Sequence, residues 1–374
     1  MKILINASNL RTGGALQVAN SFLLELVNYT THSFVVVVSE EVDNFLSFKV
    51  DSSHNVIKIV YSNKPTLVKA LFGINYYLSR IERNHLPDKV FTIFGPSYWR
   101  PKAFHICGFA KPDYIFKESP YFLRLTFKEK VLLFLKEAVH LVDIKKNADI
   151  YVSENLEVSR RLSKRINKPV ATVSNTYNQV FDNKGIWQKV NLNLREDSFK
   201  CLTISVPYKH KNLEAILSLA DYINNNQIEL KVDFILTVDQ KEFPEAVYSG
   251  SENCVVHFIG RKNIREVPSL YQEVDAMLLP TLLECFSASY CEAMYMRRLI
   301  LTSQLSFAEA TCGKGAIYFD PTSSRSILES LKKAVNLSEV ERDCLLDIAQ
   351  ARLDLFLNPK QRAAEYIKLI TNER

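Results

Sequence analysis

The chain has 374 residues, which is more than a single hydrophobic core usually supports, so two domains are expected. It is 47% hydrophobic and 24% charged, with 10 Gly and 13 Pro, and carries a formal net charge of +6. This composition excludes collagen-like, disordered and linker-dominated chains. Because the N-terminus lacks a signal peptide's apolar core and no long apolar run follows, we expect a cytoplasmic protein that does not span a membrane.

Short β-branched runs alternate with helical patterns in the first half. The runs KILIN, SFVVVVS, KVFTIF and ADIYVSE are typical of strands buried on both faces, and residues 14–29 show helical spacing. Between the first strand and this helix, Gly13 and Gly14 let the backbone turn sharply and approach a ligand. The pair is not a G-x-G-x-x-G fingerprint, which argues against a dinucleotide oxidoreductase.

Basic residues are concentrated in the first half. Residues 64–146 contain 15 Lys and Arg against 7 Asp and Glu. Segments 64–83 and 115–146 mix these cations with Phe, Leu and Tyr, a pattern that predicts basic amphipathic helices and peripheral association with an anionic membrane. The alternative is helices whose apolar stripe packs into the core while their charges are solvated. No nucleic-acid recognition motif is present, so nucleic acid is not an expected partner.

The second half repeats the alternation of strands and helices. Its predicted strands are KCLTISV, KVDFILTV, VVHFIG, AMLLPT, LILTSQ and AIYFD. The expected fold is therefore α/β, with two Rossmann-like domains of parallel sheet that face an interdomain cleft. We predict an N-terminal domain at 1–180, a C-terminal domain at 181–358 and a helix at 359–374 that packs back on the first domain.

The motif SVPYKHKNLEAI follows the first strand of the second domain. Lys209, His210 and Lys211 lie in its loop, directly ahead of a helix. Positive groups at this place suit a diphosphate, because a leaving nucleoside diphosphate gains negative charge as its bond breaks. A K-x-K loop taken alone is more often a solvated surface patch.

A second motif, ECFSASYCE, places Glu284 and Glu292 at the ends of an uncharged stretch. It follows the strand AMLLPT, and Ser287 is the predicted N-cap of a helix. An uncharged helix N-terminus favours phosphate, and flanking carboxylates accept hydrogen bonds from hydroxyls. The alternative is a helix-capping acid beside an unrelated surface acid.

ECFSASYCE resembles the E-x7-E motif of retaining, nucleotide-sugar-dependent glycosyltransferases of the GT-B fold, and the chain looks most similar to glycosyltransferase family 4. The resemblance implies that 1–180 form the acceptor-side domain and 181–358 the nucleotide-sugar donor-binding domain. It also implies that Glu284 contacts the hydroxyls of the donor sugar and that Glu292 contacts the ribose. It also implies that the donor's sugar and phosphates contact the backbone of three successive residues, Phe286, Ser287 and Ala288.

The same resemblance assigns Lys211 to the donor diphosphate and the glycine loop at Gly13 and Gly14 to the donor phosphates or the acceptor. The family usually adds an Arg directly after the strand, where this chain has Val206 or a neighbour. The second positive charge is then expected from Lys209, from His210 or from elsewhere.

The stretch FHICGFAKPDYIF corresponds to a region in which related enzymes often carry a His or an Asp that faces the donor sugar. His105 is therefore the preferred catalytic candidate and Asp113 the alternative. A hydrogen-bonded structural histidine is an equally open interpretation of His105.

The resemblance thus implies an enzyme that moves a sugar, with retention, from a nucleoside-diphosphate sugar to a hydroxyl of a lipid-linked or oligosaccharide acceptor. We expect this in cell-surface polysaccharide or lipopolysaccharide synthesis, without metal or cofactor, at the inner face of the cytoplasmic membrane. The alternatives are a GT-B sugar-nucleotide epimerase and a non-catalytic binding subunit.

Overall fold

The computed structural model describes residues 1–45, 55–64, 66–243 and 253–372. The chain forms two compact units. The first comprises Met1–Lys117, Leu125–Asn178 and Leu357–Arg374, and the second comprises Glu118–Arg124 and Gln179–Phe356. Pro65 of the predicted basic segment and residues 373–374 of the predicted last helix lie outside the described residues.

The first unit contains a parallel sheet whose strand order is β3-β2-β1-β4-β5-β6-β7. Its strands are β1 (Lys2–Ala7), β2 (Ser33–Ser39), β3 (Val56–Tyr61), β4 (Lys89–Thr92), β5 (Phe104–Phe109), β6 (Ile150–Ser153) and β7 (Val170–Thr172). The four predicted strands are confirmed as β1, β2, β4 and β6. In β5, Gly108 is required by close packing, because a Cβ atom there would lie 1.8 Å from the carbonyl oxygen of Ile93.

The helices that precede the second unit are α1 (Gly14–Glu25), α2 (Glu40–Phe45), α3 (Leu67–Phe72), α4 (Tyr76–His85), α5 (Phe127–Lys146) and α6 (Leu156–Ile166). The predicted basic helices are shorter than their segments. Thr126 and Glu129 form a capping box that starts α5, so residues 115–126 are not part of this helix. Gly73, at φ +64°, ends α3 and separates it from α4.

The second unit also contains a parallel sheet, with strand order β10-β9-β8-β11-β12-β13. Its strands are β8 (Phe199–Thr203), β9 (Val232–Leu236), β10 (Cys254–Phe258), β11 (Ala276–Leu279), β12 (Leu299–Ser303) and β13 (Ile317–Phe319). All six predicted strands are confirmed. Its helices are α7 (Glu214–Asn225), α8 (Val267–Gln272), α9 (Ala288–Tyr295), α10 (Ser306–Cys312), α11 (Ser324–Val335) and α12 (Glu339–Leu353).

The last helix, α13 (Pro359–Thr371), belongs to the first unit. Tyr366, Ile367 and Ile370 of this helix are part of the hydrophobic core that β1, β2 and α1 build. The side chain of Arg362 is fully buried and donates hydrogen bonds to Ser21, at 2.6 Å, and to Asn175. The buried guanidinium therefore holds α13 to α1 and to the loop that follows β7.

The cysteines are free thiols, and all of them are buried except Cys344, which is exposed. This residue lies on α12, of which few residues are buried, so its thiol remains at the surface.

Candidate donor site

The strand order of the second sheet reverses between β8 and β11. These strands pair in parallel, with Cys201 opposite Ala276 and Leu202 opposite Met277. Their carboxyl ends therefore lie side by side, and the loops 204–213 and 280–287 leave the sheet at the same point. Ligands of open α/β sheets bind where the strand order reverses, outside the carboxyl ends of the strands. Both predicted donor motifs lie in these two loops.

Lys211 and Glu284 join the two loops through an ion pair between Nζ and Oε1. Their side chains are only 16% and 11% exposed, so water screens the attraction weakly. Thr281 Oγ1 lies 3.1 Å from Glu284 Oε1 and 3.2 Å from the carbonyl oxygen of His210. The amide of Leu282 donates to the same carbonyl at 2.7 Å. Several hydrogen bonds therefore fix the position of this carboxylate before any ligand binds.

The backbone at Asn212 directs Lys211 toward the second loop. Lys209–Lys211 form a single 3-10 turn, which ends at Asn212 in the left-handed conformation with φ +58°. Asparagine tolerates this conformation better than most residues. The side-chain amide of Asn212 donates to the carbonyl of Pro280 at 3.0 Å and to that of Pro321 at 2.9 Å. The lysine loop is thus held against the loop that carries Glu284.

The two neighbours of Lys211 have different surroundings. Lys209 is exposed to solvent. The His210 ring stacks on Tyr208 at 5.6 Å between ring centroids. Burial lowers the pKa of His210, and the nearby Lys211 lowers it further although Glu284 opposes them. His210 is therefore neutral near pH 7 and supplies no second positive charge there. The diphosphate contacts of Lys209 and His210 remain predictions.

The helix that follows the second loop carries Glu292. Ser287 occupies the N-cap position of α9, as predicted, although its side chain makes no capping hydrogen bond. The backbone of Phe286, Ser287 and Ala288 thus forms the start of this helix, where the first N–H groups have no partner within it. Such a terminus is suited to a phosphate or a sugar oxygen.

Glu292 is buried in the second turn of α9. Its Oε2 lies 3.4 Å from the hydroxyl of Tyr271, a contact that the sequence did not indicate. Burial raises the pKa of Glu292 to about 7, and the hydrogen bond from Tyr271 opposes this change only in part. A carboxyl group in such surroundings gains from a ligand hydroxyl that donates to its ionised form.

The strand order of the first sheet reverses between β1 and β4. After β1, Gly13 adopts φ +72° and α1 begins at Gly14, so the predicted sharp glycine turn is confirmed. Asn9 donates hydrogen bonds of 2.6 and 2.8 Å to carbonyl groups of the loop 93–99, which follows β4. Asp143 accepts from the backbone of the same loop at 3.1 and 3.0 Å. Sequence reasoning did not single out this loop, although its Gly-Pro-Ser run after a strand is a turn signal.

The prediction that His105 faces the donor sugar is wrong. His105 is the second residue of β5 and is 1% exposed. Its ring lies 2.8 Å from Thr92 Oγ1 through Nε2 and contacts the carbonyl of Asn147 through Nδ1. Burial lowers its pKa to about 4, so the ring is neutral. Both ring nitrogens are engaged inside the sheet, which makes His105 a structural residue.

Asp113, the alternative to His105, lies after the carboxyl end of β5 in the turn Pro112–Tyr114. It is partly buried, and burial raises the pKa of its carboxyl despite the opposing Lys111, Lys117 and Lys136. Its position agrees with the place where ligands of parallel sheets bind. Its role toward the donor sugar remains a prediction.

Two kinds of feature are absent from residues 1–45, 55–64, 66–243 and 253–372. No group of three His, Cys, Asp or Glu side chains there is arranged to hold a metal ion. None of the described helices has both the length and the apolar character needed to cross a bilayer.

Residues 187–345 match the family model of glycosyl transferases group 1. The second unit thus carries a glycosyltransferase domain, and the prediction of a glycosyltransferase is confirmed. No curated protein matches the sequence at a significant level.

Solved structures of glycosyltransferases have the same fold. A sucrose-phosphate synthase from Thermosynechococcus elongatus superposes with a TM-score of 0.72 at 12% identity, over 99% of this chain and 98% of that chain. An α,α-trehalose-phosphate synthase (UDP-forming) from Burkholderia vietnamiensis gives 0.69 at 10% identity, over 99% and 96%. WaaG, a glycosyltransferase involved in lipopolysaccharide biosynthesis, gives 0.65 at 15% identity, over 99% and 100%. The predicted GT-B fold is confirmed.

The buried carboxyl of Glu292 predicts a pH-dependent stability of the glycosyltransferase. Because its pKa of about 7 exceeds the unfolded value near 4.5, the folded protein binds the proton more tightly. Stability should therefore fall as pH rises from about 4.5 to 7. In Glu292→Gln this loss should disappear. Chemical denaturation should therefore show that the free energy of unfolding of the variant, relative to that of wild type, is up to about 3 kcal/mol higher at pH 8 than at pH 5.

The exposed Glu229 offers a matched control, because its carboxyl group is surrounded by water in both the folded and the unfolded protein. Glu229→Gln should differ from wild type by the same amount at both pH values. An equal difference for Glu292→Gln at both values would contradict the raised pKa.

Proposed function

We propose that the protein is a retaining glycosyltransferase that moves a sugar from a nucleoside-diphosphate sugar to a hydroxyl of a lipid-linked or oligosaccharide acceptor. The observation that carries this proposal is the Lys211–Glu284 ion pair at the reversal of strand order in the second sheet. It brings a cation for the diphosphate beside a carboxylate for the sugar, next to the N-terminus of α9.

In this proposal each group binds the donor part that its chemistry fits. Glu284 accepts hydrogen bonds from sugar hydroxyls, and Glu292 accepts them from the ribose. Lys211 and the backbone from Phe286 to Ala288 bind the phosphates. When the diphosphate enters, the ammonium of Lys211 exchanges part of its interaction with Glu284 for the more negative ligand.

The proposed reaction proceeds on one face of the sugar. The bond between the anomeric carbon and the phosphate oxygen breaks, the acceptor oxygen bonds to the same face, and the departing phosphate accepts the acceptor's proton. Lys211 and the dipole of α9 stabilise the charge that develops on the leaving group. The residues assigned to the donor supply no separate nucleophile, which favours this route over two successive displacements.

We place the reaction in cell-surface polysaccharide or lipopolysaccharide synthesis. WaaG, which has the same fold, is involved in lipopolysaccharide biosynthesis and supports this choice of pathway. A lipid-linked acceptor also agrees with an unusual surface on the first unit.

That surface is called the exposed apolar face. It is formed by α3, by residues 73–76 up to the start of α4, and by the first half of α5, a helix that packs against α3. On α5, Phe127, Leu132 and Phe134 are 84%, 63% and 70% exposed. The other exposed apolar residues of this face are Leu67, Val68, Leu71, Phe72, Ile74, Tyr76, Val131 and Leu135. Exposed apolar residues gathered on two helices that pack together are typical of a docking site for a membrane or another molecule.

The polarity of α5 is inverted relative to an ordinary surface helix. Apart from Ile144, its buried residues are Glu137, His140 and Asp143, whereas most large apolar residues of its first half are exposed. Lys128 and Lys130 are exposed on the same half of the helix. We propose that this face enters the interface of an anionic bilayer, where each cation near the surface contributes about 1 kcal/mol.

Glu284→Ala should reduce turnover of the donor by roughly a hundredfold or more, because its hydrogen bonds to the sugar strengthen in the transition state. Release of the nucleoside diphosphate from a panel of nucleotide sugars measures this. Glu229→Ala, which removes an exposed carboxylate of the same unit, should keep wild-type turnover. A folded Glu284→Ala protein with wild-type turnover would refute the role of Glu284.

Lys211→Ala should weaken the binding of a nucleoside diphosphate by about 1.5 to 3 kcal/mol, the range for hydrogen bonds to charged groups. Calorimetry with UDP and GDP measures the loss. The matched control is Lys231→Ala, because Lys231 pairs with Asp197 at the surface, just before β9. Unchanged affinity in Lys211→Ala would assign the diphosphate to Lys209 or His210 instead.

Replacing Lys128, Lys130 and Lys136 with Gln should reduce binding to vesicles that contain anionic lipid. In the wild-type protein this binding should also fall as salt rises to roughly 0.5 M, because the Debye length shrinks well below 10 Å. Donor hydrolysis should stay unchanged in the variant, since these lysines lie outside the donor loops. Cosedimentation with vesicles of graded charge measures the binding.

A control of equal charge replaces Lys332, Lys333 and Lys360, which are exposed on other helices, with Gln. That control should sediment with vesicles as the wild-type protein does. If wild-type protein stays in the supernatant with vesicles of every charge, the acceptor is soluble and the membrane proposal is wrong.

A further inference from the structure

A short segment of the first half of the chain belongs to the second unit. Residues 118–124 lie between Lys117 and Leu125, both of which are part of the first unit. The segment itself clusters with the second unit. It contains the 3-10 turn Pro120–Arg124, which contacts the 3-10 turn Lys209–Lys211. We call residues 118–124 the strap.

Ser119 bonds the strap to the loop that carries Glu284. The buried hydroxyl of Ser119 donates to the carbonyl of Leu282 at 2.6 Å and accepts from the amide of Tyr121 at 3.1 Å. The amide of Leu282 in turn donates to the carbonyl of His210 at 2.7 Å. One chain of hydrogen bonds thus runs from the strap through the glutamate loop to the residue before Lys211.

Two further contacts join the strap to the lysine loop. The edge of the Tyr121 ring meets the ring of His210, at 6.1 Å between centroids and 86° between planes. Arg124 lies 3.9 Å from Glu214, the first residue of α7, which follows this loop. The strap therefore touches both loops of the donor site, close to Lys211 and Glu284 but without contacting either side chain through these bonds.

We propose that Ser119 and Tyr121 are positioning residues for the donor diphosphate: they hold the lysine loop and the glutamate loop in the register that lets Lys211 meet Glu284. This inference rests on the proposed function of Lys211. Glu292 and Tyr271 lie on α9 and α8, outside these contacts, so the strap should affect the diphosphate and leave the nucleoside end of the ligand unchanged.

The test measures one ratio, the dissociation constant of the monophosphate divided by that of the diphosphate. The nucleotides are UMP and UDP, or GMP and GDP, whichever pair the wild-type protein binds. Ser119→Ala should lower this ratio roughly three- to tenfold, and Tyr121→Ala roughly tenfold, with monophosphate affinity unchanged. Tyr121→Phe keeps the aromatic edge and should keep the ratio. Ser330→Ala is the matched serine control, because Ser330 is also buried and donates to a backbone carbonyl, that of Ile327 at 2.7 Å.

A double-mutant cycle separates the strap from the function of Lys211. If the strap acts through Lys211, adding Ser119→Ala to Lys211→Ala should change the ratio little further. A ratio that falls in Ser119→Ala but not in Lys211→Ala would support the strap and overturn the assignment of Lys211. The strap is refuted if Ser119→Ala and Tyr121→Ala keep the wild-type ratio, or weaken both nucleotides equally, while Lys211→Ala lowers it.

Discussion

β8 and β11 pair in parallel at the point where the strand order of the second sheet reverses, and this register places the ends of both strands side by side. In open α/β sheets, ligands bind outside the carboxyl ends of the strands where the order reverses. Lys211 and Glu284 occupy the loops that follow β8 and β11. The meeting of a cation from one motif with a carboxylate from the other is therefore a consequence of sheet topology, not of their separation along the chain.

A buried charge is unfavourable unless an opposite charge or hydrogen bonds compensate it, and the two units use different partners for this. In the second unit, the ion pair and Thr281 satisfy the Glu284 carboxylate. In the first unit, Asp143 of α5 accepts backbone hydrogen bonds from the loop 93–99. Asp143 and His140 are buried on this helix, whereas Phe127, Leu132 and Phe134 of its first half are exposed. The helix whose buried Asp143 holds the loop after β4 therefore also carries part of the exposed apolar face.

The sequence predicted the features that local patterns encode. Short apolar runs between helical patterns identified all six strands of the second sheet, and the helix N-terminus at Ser287 was predicted from its loop and spacing. β7 (Val-Ala-Thr) lacks the large apolar side chains that marked the equally short β13 (Ile-Tyr-Phe), and β5 contains His105 and Gly108, which resemble a loop motif. His105 was misassigned because a sequence does not show whether a histidine precedes or follows a strand's end. Tyr271 and Ser119 were missed because their partners are distant in the chain.

The fastening of α13 to the first unit has a consequence for the order in which the protein is made. Ser21 and Arg362 bond to each other from opposite ends of the chain, and Tyr366, Ile367 and Ile370 complete a core whose other members are synthesised far earlier. The first unit therefore leaves the ribosome with part of its apolar core uncovered. The main segment of the second unit, residues 179–356, is continuous and emerges whole before α13. The N-terminal half thus reaches its final packing last, against the usual order of domain folding during translation.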